Sequence, residues 1–73
     1  MPLENNKELS IVIPVFNEIN FLYKLFDQIK LYFNKESVEV IIVDDGSTDG
    51  SNNVLRELKE KKDYKFFFKL IQL

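Results

Sequence analysis

Neither cysteine nor histidine occurs among the 73 residues. A disulfide framework and a Cys/His zinc site are therefore both excluded, and the lack of cysteine fits a cytoplasmic setting. A chain this short forms at most one small domain, whose ordering costs about 1.5 kcal/mol per residue. A large excess of one charge sign is also missing. The formal net charge is −2, from 10 basic and 12 acidic residues, and the signs are interspersed. That leaves no basic face for phosphate backbones and argues against nucleic acid as a partner. Long hydrophobic runs are absent too, the longest being about six residues against the roughly 20 that span a bilayer. Residues 1–8, Met1-Pro2-Leu3-Glu4-Asn5-Asn6-Lys7-Glu8, lack the basic start and apolar stretch of a secretory signal and read as a flexible leader.

What is present is a repeated design. Leu9 to Ile13 is β-branched and uninterrupted, the pattern of a strand covered on both faces, and Pro14 is expected to end it. Asn17 is placed to cap a helix, with Glu18 in its first turn. Leu22, Leu25, Phe26, Ile29 and Phe33 then share one helical face. After the polar link 34–37, Val38 to Val43 reads as a second buried strand, which runs into the acidic turn Asp44-Asp45-Gly46-Ser47-Thr48-Asp49-Gly50. A second helix follows over about 49–61, capped by Ser47 or Thr48, with Asp49 in its first turn. Its apolar stripe is Val54, Leu55 and Leu58, and Lys59, Lys61 and Lys62 lie near its C-terminus. Residues 65–73 alternate aromatic and aliphatic side chains as a third strand.

The order β-α-β-α-β implies an α/β fold: a parallel sheet with right-handed crossovers, one half of a doubly wound, Rossmann-like domain. Three strands and two helices leave the sheet edges and part of one face bare. Phe66, Phe67 and Phe68 are then hard to bury fully. The chain reads as the first part of a larger domain, apparently truncated.

Three readings of the acidic turn compete. Asp, Gly, Ser and Thr favour strand-to-helix turns for purely local reasons. Asp45-x-Ser47-x-Asp49-Gly50 opens like a calcium-binding EF-hand loop, but Arg56 stands where the bidentate glutamate is required. The third reading is nucleotide recognition, because a carboxylate at the C-terminal end of a parallel strand can accept a base N–H or a ribose hydroxyl. The first turn, Pro14-Val15-Phe16-Asn17-Glu18, holds no glycine. Neither GxGxxG nor GxxxxGK[ST] occurs, which disfavours dinucleotide oxidoreductases and P-loop NTPases.

The segments Ile11-Val12-Ile13-Pro14-Val15-Phe16-Asn17-Glu18 and Val40-Ile41-Ile42-Val43-Asp44-Asp45-Gly46-Ser47-Thr48-Asp49-Gly50-Ser51, in this order and at this spacing, resemble the N-terminus of family 2 glycosyltransferases of the GT-A fold. Within the family the chain is most similar to polyprenyl-phosphate sugar transferases, the dolichyl- and undecaprenyl-phosphate enzymes. The resemblance covers about residues 9–73. It implies a site for a nucleotide-diphosphate sugar: Pro14 and Phe16 shape and pack against the base, and Glu18 bonds the base or ribose. Asp44 takes the base N–H, Ile42 lines the floor and Asp45 lies beside it. Phe16 stands where the family usually has Tyr, so stacking is kept and a hydroxyl hydrogen bond is lost. The resemblance further implies a Mg²⁺ or Mn²⁺ cofactor for the full-length enzyme, which a membrane could host. The DxD-type metal motif, the catalytic base and the acceptor half are expected beyond Leu73. The 73 residues alone are therefore expected to bind donor without catalysing transfer. The competing expectation is a non-catalytic remnant that binds nothing tightly.

Overall fold

The computed structural model describes residues 7–73. Its elements are β1 (Leu9–Val15), α1 (Ile19–Phe33), β2 (Val38–Asp44), α2 (Ser51–Lys61) and β3 (Phe67–Gln72). The strands form one sheet in the order β1-β2-β3, and both pairings are parallel. Each crossover advances the same way across the sheet, so right-handed connections lay both helices on one face. The α/β, Rossmann-like fold expected from the motif order is the one found.

Alternation along the strands then sorts the side chains. Val38, Val40, Ile42 and Asp44 of β2 point toward the helices and are buried. Ile11, Ile13 and Val15 from β1 and Phe68 and Leu70 from β3 join them on that side. The helices contribute Leu22, Phe26, Ile29, Leu55 and Leu58. On the far side of the sheet the described residues place nothing over Val12, which is 62% exposed, or Phe67, which is 50% exposed. The continuous apolar run of β1 therefore does not mean cover on both faces. It reaches through Pro14 to Val15, because β1 is an edge strand and can lose one N–H without breaking the sheet.

Two other expectations change. Phe66 and Phe68 are buried at 3% and 4% exposure, and only Phe67 stays out. They are enclosed because Phe26 reaches across from α1, its ring centroid 5.6 Å from Phe66 and 5.3 Å from Phe68. Tyr64 stacks on Phe66 at 4.6 Å and donates its hydroxyl hydrogen to the Lys59 carbonyl at 2.8 Å. Burial pushes the Tyr64 hydroxyl pKa up. Phe33, assigned by spacing to the buried face of α1, is 38% exposed, because the helix ends there before the sheet covers it. β3 is also shorter than expected, since Lys65 and Phe66 belong to the incoming loop and Leu73 lies past its end. That loop is fastened to α1 by the Lys30–Asp63 ion pair at 3.0 Å and by the Lys65 N–H to Asn34 Oδ1 bond at 2.6 Å.

The leader expected over 1–8 lies outside the described residues except at its end. There Lys7 donates to the Glu36 carbonyl and the Glu8 N–H to the Ser37 carbonyl, so these two are tied to the start of β2. No helix among the described residues is long and apolar enough to cross a membrane.

The aromatic cluster sets a testable energy scale. Phe26→Ala should lower unfolding free energy by about 3–5 kcal/mol, enough to unfold much of a domain this small. Phe33→Ala should cost about 1 kcal/mol or less. Urea titrations followed by circular dichroism check this, and equal losses from both changes would contradict the packing described.

Candidate functional site

The register of β1 and β2 sets Val15 beside Asp44, so both strands stop at the same level and their outgoing turns leave side by side. The ladder extends one rung further, where the Asp45 N–H donates to the Val15 carbonyl at 2.9 Å. This is the carboxyl end of a parallel sheet, the end at which open α/β sheets hold ligands.

Strand alternation puts Asp44 in phase with Val40 and Ile42, and its side chain is turned in toward the helix side at 2% exposure. One oxygen, Oδ1, accepts the Ser47 N–H at 3.1 Å. Oδ2 has no protein donor among the described residues. Since no fully enclosed side-chain oxygen or nitrogen lacks a partner there, Oδ2 keeps an opening to the surface. Asp45, the next residue, is exposed. Ile42 is 1% exposed and packs in the core below Asp44. Pro14 is on the bare face of the sheet, exposed, in register with Val43. Phe16 presents its ring at 57% exposure. Glu18 is exposed on the β1–α1 turn, with Oε1 accepting the Phe16 N–H at 3.4 Å. Phe16, Glu18, Asp44 and Asp45 thus gather at one end of the sheet, Ile42 supports them from within, and Pro14 faces the other way.

Four residues outside that set hold the two turns together. Asn17 does not cap α1. Its backbone is left-handed at φ 51°, and α1 starts two residues later with Glu18 at the cap position and no side-chain cap of its own. The Asn17 N–H donates to Ser47 Oγ at 2.9 Å, and Asn17 Oδ1 accepts the Thr48 N–H at 2.8 Å. Ser47 and Thr48 are consequently not the caps of α2, which begins at Ser51 behind Gly50. Asp49, expected inside the first turn of α2, stands before it and serves both helices. Its Oδ2 accepts the Ile19 N–H at 3.1 Å, the first amide of α1, and its Oδ1 accepts the Ser51 N–H at 3.0 Å and the Ser51 hydroxyl. Both helix N-termini, each with unsatisfied amides, are met by one carboxylate. Gly50 allows this closeness: it sits at φ 93°, and a Cβ there would come within 3.2 Å of the Ile19 side chain. Residue type signalled that 17 and 47–49 would bond backbone amides. It gave no sign that the amides would belong to the neighbouring turn.

Among the described residues no three acidic side chains converge as a metal site.

Comparison with known proteins fits this geometry to a family. The family model for glycosyl transferase family 2 matches residues 10–72. The chain is 34% identical over 65 residues to an uncharacterized glycosyltransferase of Rickettsia conorii, covering 89% of this chain and 11% of that protein. It is 37% identical over 60 residues to a Methanococcus voltae protein, covering 77% of this chain and 18% of the relative. That relative's name describes a glucuronosyltransferase acting on a dolichyl N-acetyl-alpha-D-glucosaminyl phosphate. Among solved structures, a mannosyltransferase of Pyrobaculum calidifontis in complex with GDP-Man and Mn²⁺ superposes with a TM-score of 0.74. The match has 22% identity and spans 94% of this chain and 20% of that one. The chain belongs to glycosyl transferase family 2, and its fold is that of a GT-A fragment. It spans between about a tenth and a fifth of the length of these relatives.

The shared carboxylate gives a pH prediction. The Ser51 hydroxyl, aided by the Ile19 and Ser51 amides, holds the Asp49 carboxyl below its ordinary 3.8. A lowered folded-state pKa contributes stability that is present above 3.8 and is lost as pH falls from there through the lowered value. Asp63, lowered by the hydrogen bond from Lys30, behaves the same way. Asp49→Asn should reduce Tm at pH 6 and make the further loss between pH 4 and pH 2.5 shallower without abolishing it. Circular dichroism melts read both, and parallel pH curves for the two proteins would contradict the role assigned to Asp49.

Proposed function

We propose that the crevice at the carboxyl ends of β1 and β2 binds the nucleoside end of a nucleotide-diphosphate sugar. This chain then supplies the donor-binding part of an enzyme that transfers the sugar to an acceptor. The observation that carries the reading is Asp44: a carboxylate on a residue 2% exposed, with one oxygen fixed by the Ser47 amide and the other without a protein donor among the described residues. The oxygen that opens to the surface is an acceptor free to take a ligand's donor. A base N–H is a donor of the kind that this oxygen can accept. The exposed Phe16 ring offers a stacking surface beside it, and Glu18 offers acceptors for ribose hydroxyls or a second base N–H. Pro14 shapes the strand end, Ile42 props Asp44 from below, and Asp45 adds a solvent-facing carboxylate at the rim.

The diphosphate of the donor needs neutralising, and glycosyl transfer has a Mg²⁺ or Mn²⁺ do this. We assign the ligands of that ion to other parts of the enzyme, as the family resemblance implies. A polyprenyl phosphate is the acceptor class we favour, and the Methanococcus relative is named for a related lipid-linked acceptor, a dolichyl phosphate that already carries N-acetylglucosamine. The reaction then runs on the cytoplasmic side of a membrane, where nucleotide sugars meet the lipid.

Isothermal titration of the folded chain with UDP and with GDP, each with Mn²⁺, tests the nucleotide site. Binding heat is expected for one of the two at millimolar nucleotide. Asp44→Asn places an amide N–H where the carboxylate oxygen was and should weaken that binding by about ten- to a hundredfold. No heat from either nucleotide, with circular dichroism showing a folded chain, would overturn the proposal in favour of a remnant without a ligand.

A further inference from the structure

We infer that Asn17 is a positioning residue for this pocket, locking the turn that carries Phe16 and Glu18 to the turn that carries Asp44. The inference rests on the nucleotide reading above, but it starts from a different observation. Asn17 is one of two non-glycine residues with positive φ among the described residues, and it sits between two residues of the pocket. Left-handed backbone is tolerated by asparagine better than by most residues, yet it still costs energy and persists only where neighbours over-determine it. Here they do. The Asn17 N–H is bound by Ser47 Oγ and the Asn17 Oδ1 by the Thr48 N–H.

Ser47 is the hinge of the arrangement. Its N–H grips Asp44 Oδ1 while its hydroxyl oxygen grips the Asn17 N–H. A continuous path therefore runs from the Asp44 carboxylate through Ser47 to the residue between Phe16 and Glu18. An asparagine serving only its own helix would have capped α1. This one turns both hydrogen-bonding edges to the neighbouring turn, and the first amide of α1 is met by Asp49 instead. The left-handed turn at residue 17 lets Phe16 bend away from the β1 direction while α1 begins at once. The spacing between Glu18 and the Asp44 carboxylate, which a bound nucleoside must match, is thereby set by side chains that do not touch the nucleoside.

Two substitutions separate positioning from folding. Asn17→Gly keeps the left-handed backbone and removes the side-chain bond to Thr48. Asn17→Asp keeps an acceptor in place and tolerates the same backbone. Asn17→Gly should keep Tm within about 4 °C of the parent. It should weaken nucleotide binding by about tenfold, and Asn17→Asp should restore most of that loss. Hydrogen–deuterium exchange gives a readout without nucleotide. Amides of residues 16–19 should exchange faster in Asn17→Gly, while those of β2 stay as they were. Affinity within twofold of the parent in Asn17→Gly would overturn the inference, and so would unchanged exchange over 16–19. If the parent chain binds neither UDP nor GDP, it is the nucleotide reading that fails, and the exchange result still decides whether Asn17 locks the two turns.

Discussion

The parallel register of β1 and β2, with Val15 beside Asp44, is the constraint on which the rest of the molecule depends. It brings two strand ends to one level and sends two turns out in parallel, close enough for single side chains to serve both. Asp49 is the clearest consequence. One carboxylate meets the opening amide of α1 through Oδ2 and that of α2 through Oδ1. Neither helix has a side-chain cap in its own cap residue, so the first amide of each depends on Asp49 for its side-chain partner. Shift the register by one residue, and Asp44 would swing from the helix side to the bare face while Val43 took its place.

The fold was largely legible in the residues, because strand and helix periods are local signals. The run from Val38 to Val43 and the stripe of Leu22, Phe26 and Ile29 each report a period that survives tertiary packing. Cover was not legible. Apolar continuity in β1 looks the same whether one face or two are buried, and only the shared direction of the crossovers shows that both helices fall on one side. Phe66 and Phe68 were equally opaque: their burial depends on Phe26, some 40 positions away in the chain.

The candidate site divides in the same way. Glu18, Asp44 and Asp45 stand out as acids at strand ends, and the motif order ties them to a family. Asn17, Ser47 and Asp49 have the right chemistry for capping, but Asn17 and Ser47 use it on each other's turn, Asp49 serves both helices, and Thr48 joins only through its backbone N–H. The reason is physical. Cap rules describe a side chain meeting its own helix, whereas parallel strands one register apart bring a foreign turn nearer than the residue's own. The same geometry accounts for the bare face of the sheet. Val12 and Phe67 stand on its outside because both crossovers put their helices on the other side.

Where a nucleotide lodges decides whether the two strand ends form one site. The most direct measurement is an amide chemical-shift map of the ¹⁵N-labelled chain titrated with GDP or UDP in the presence of Mg²⁺. The largest shifts should fall on residues 16–18 and 44–47 together, with the start of β3 at the opposite end of the sheet unmoved. Shifts confined to one turn, or centred on Tyr64 to Phe68, would contradict a shared crevice at the carboxyl ends of β1 and β2.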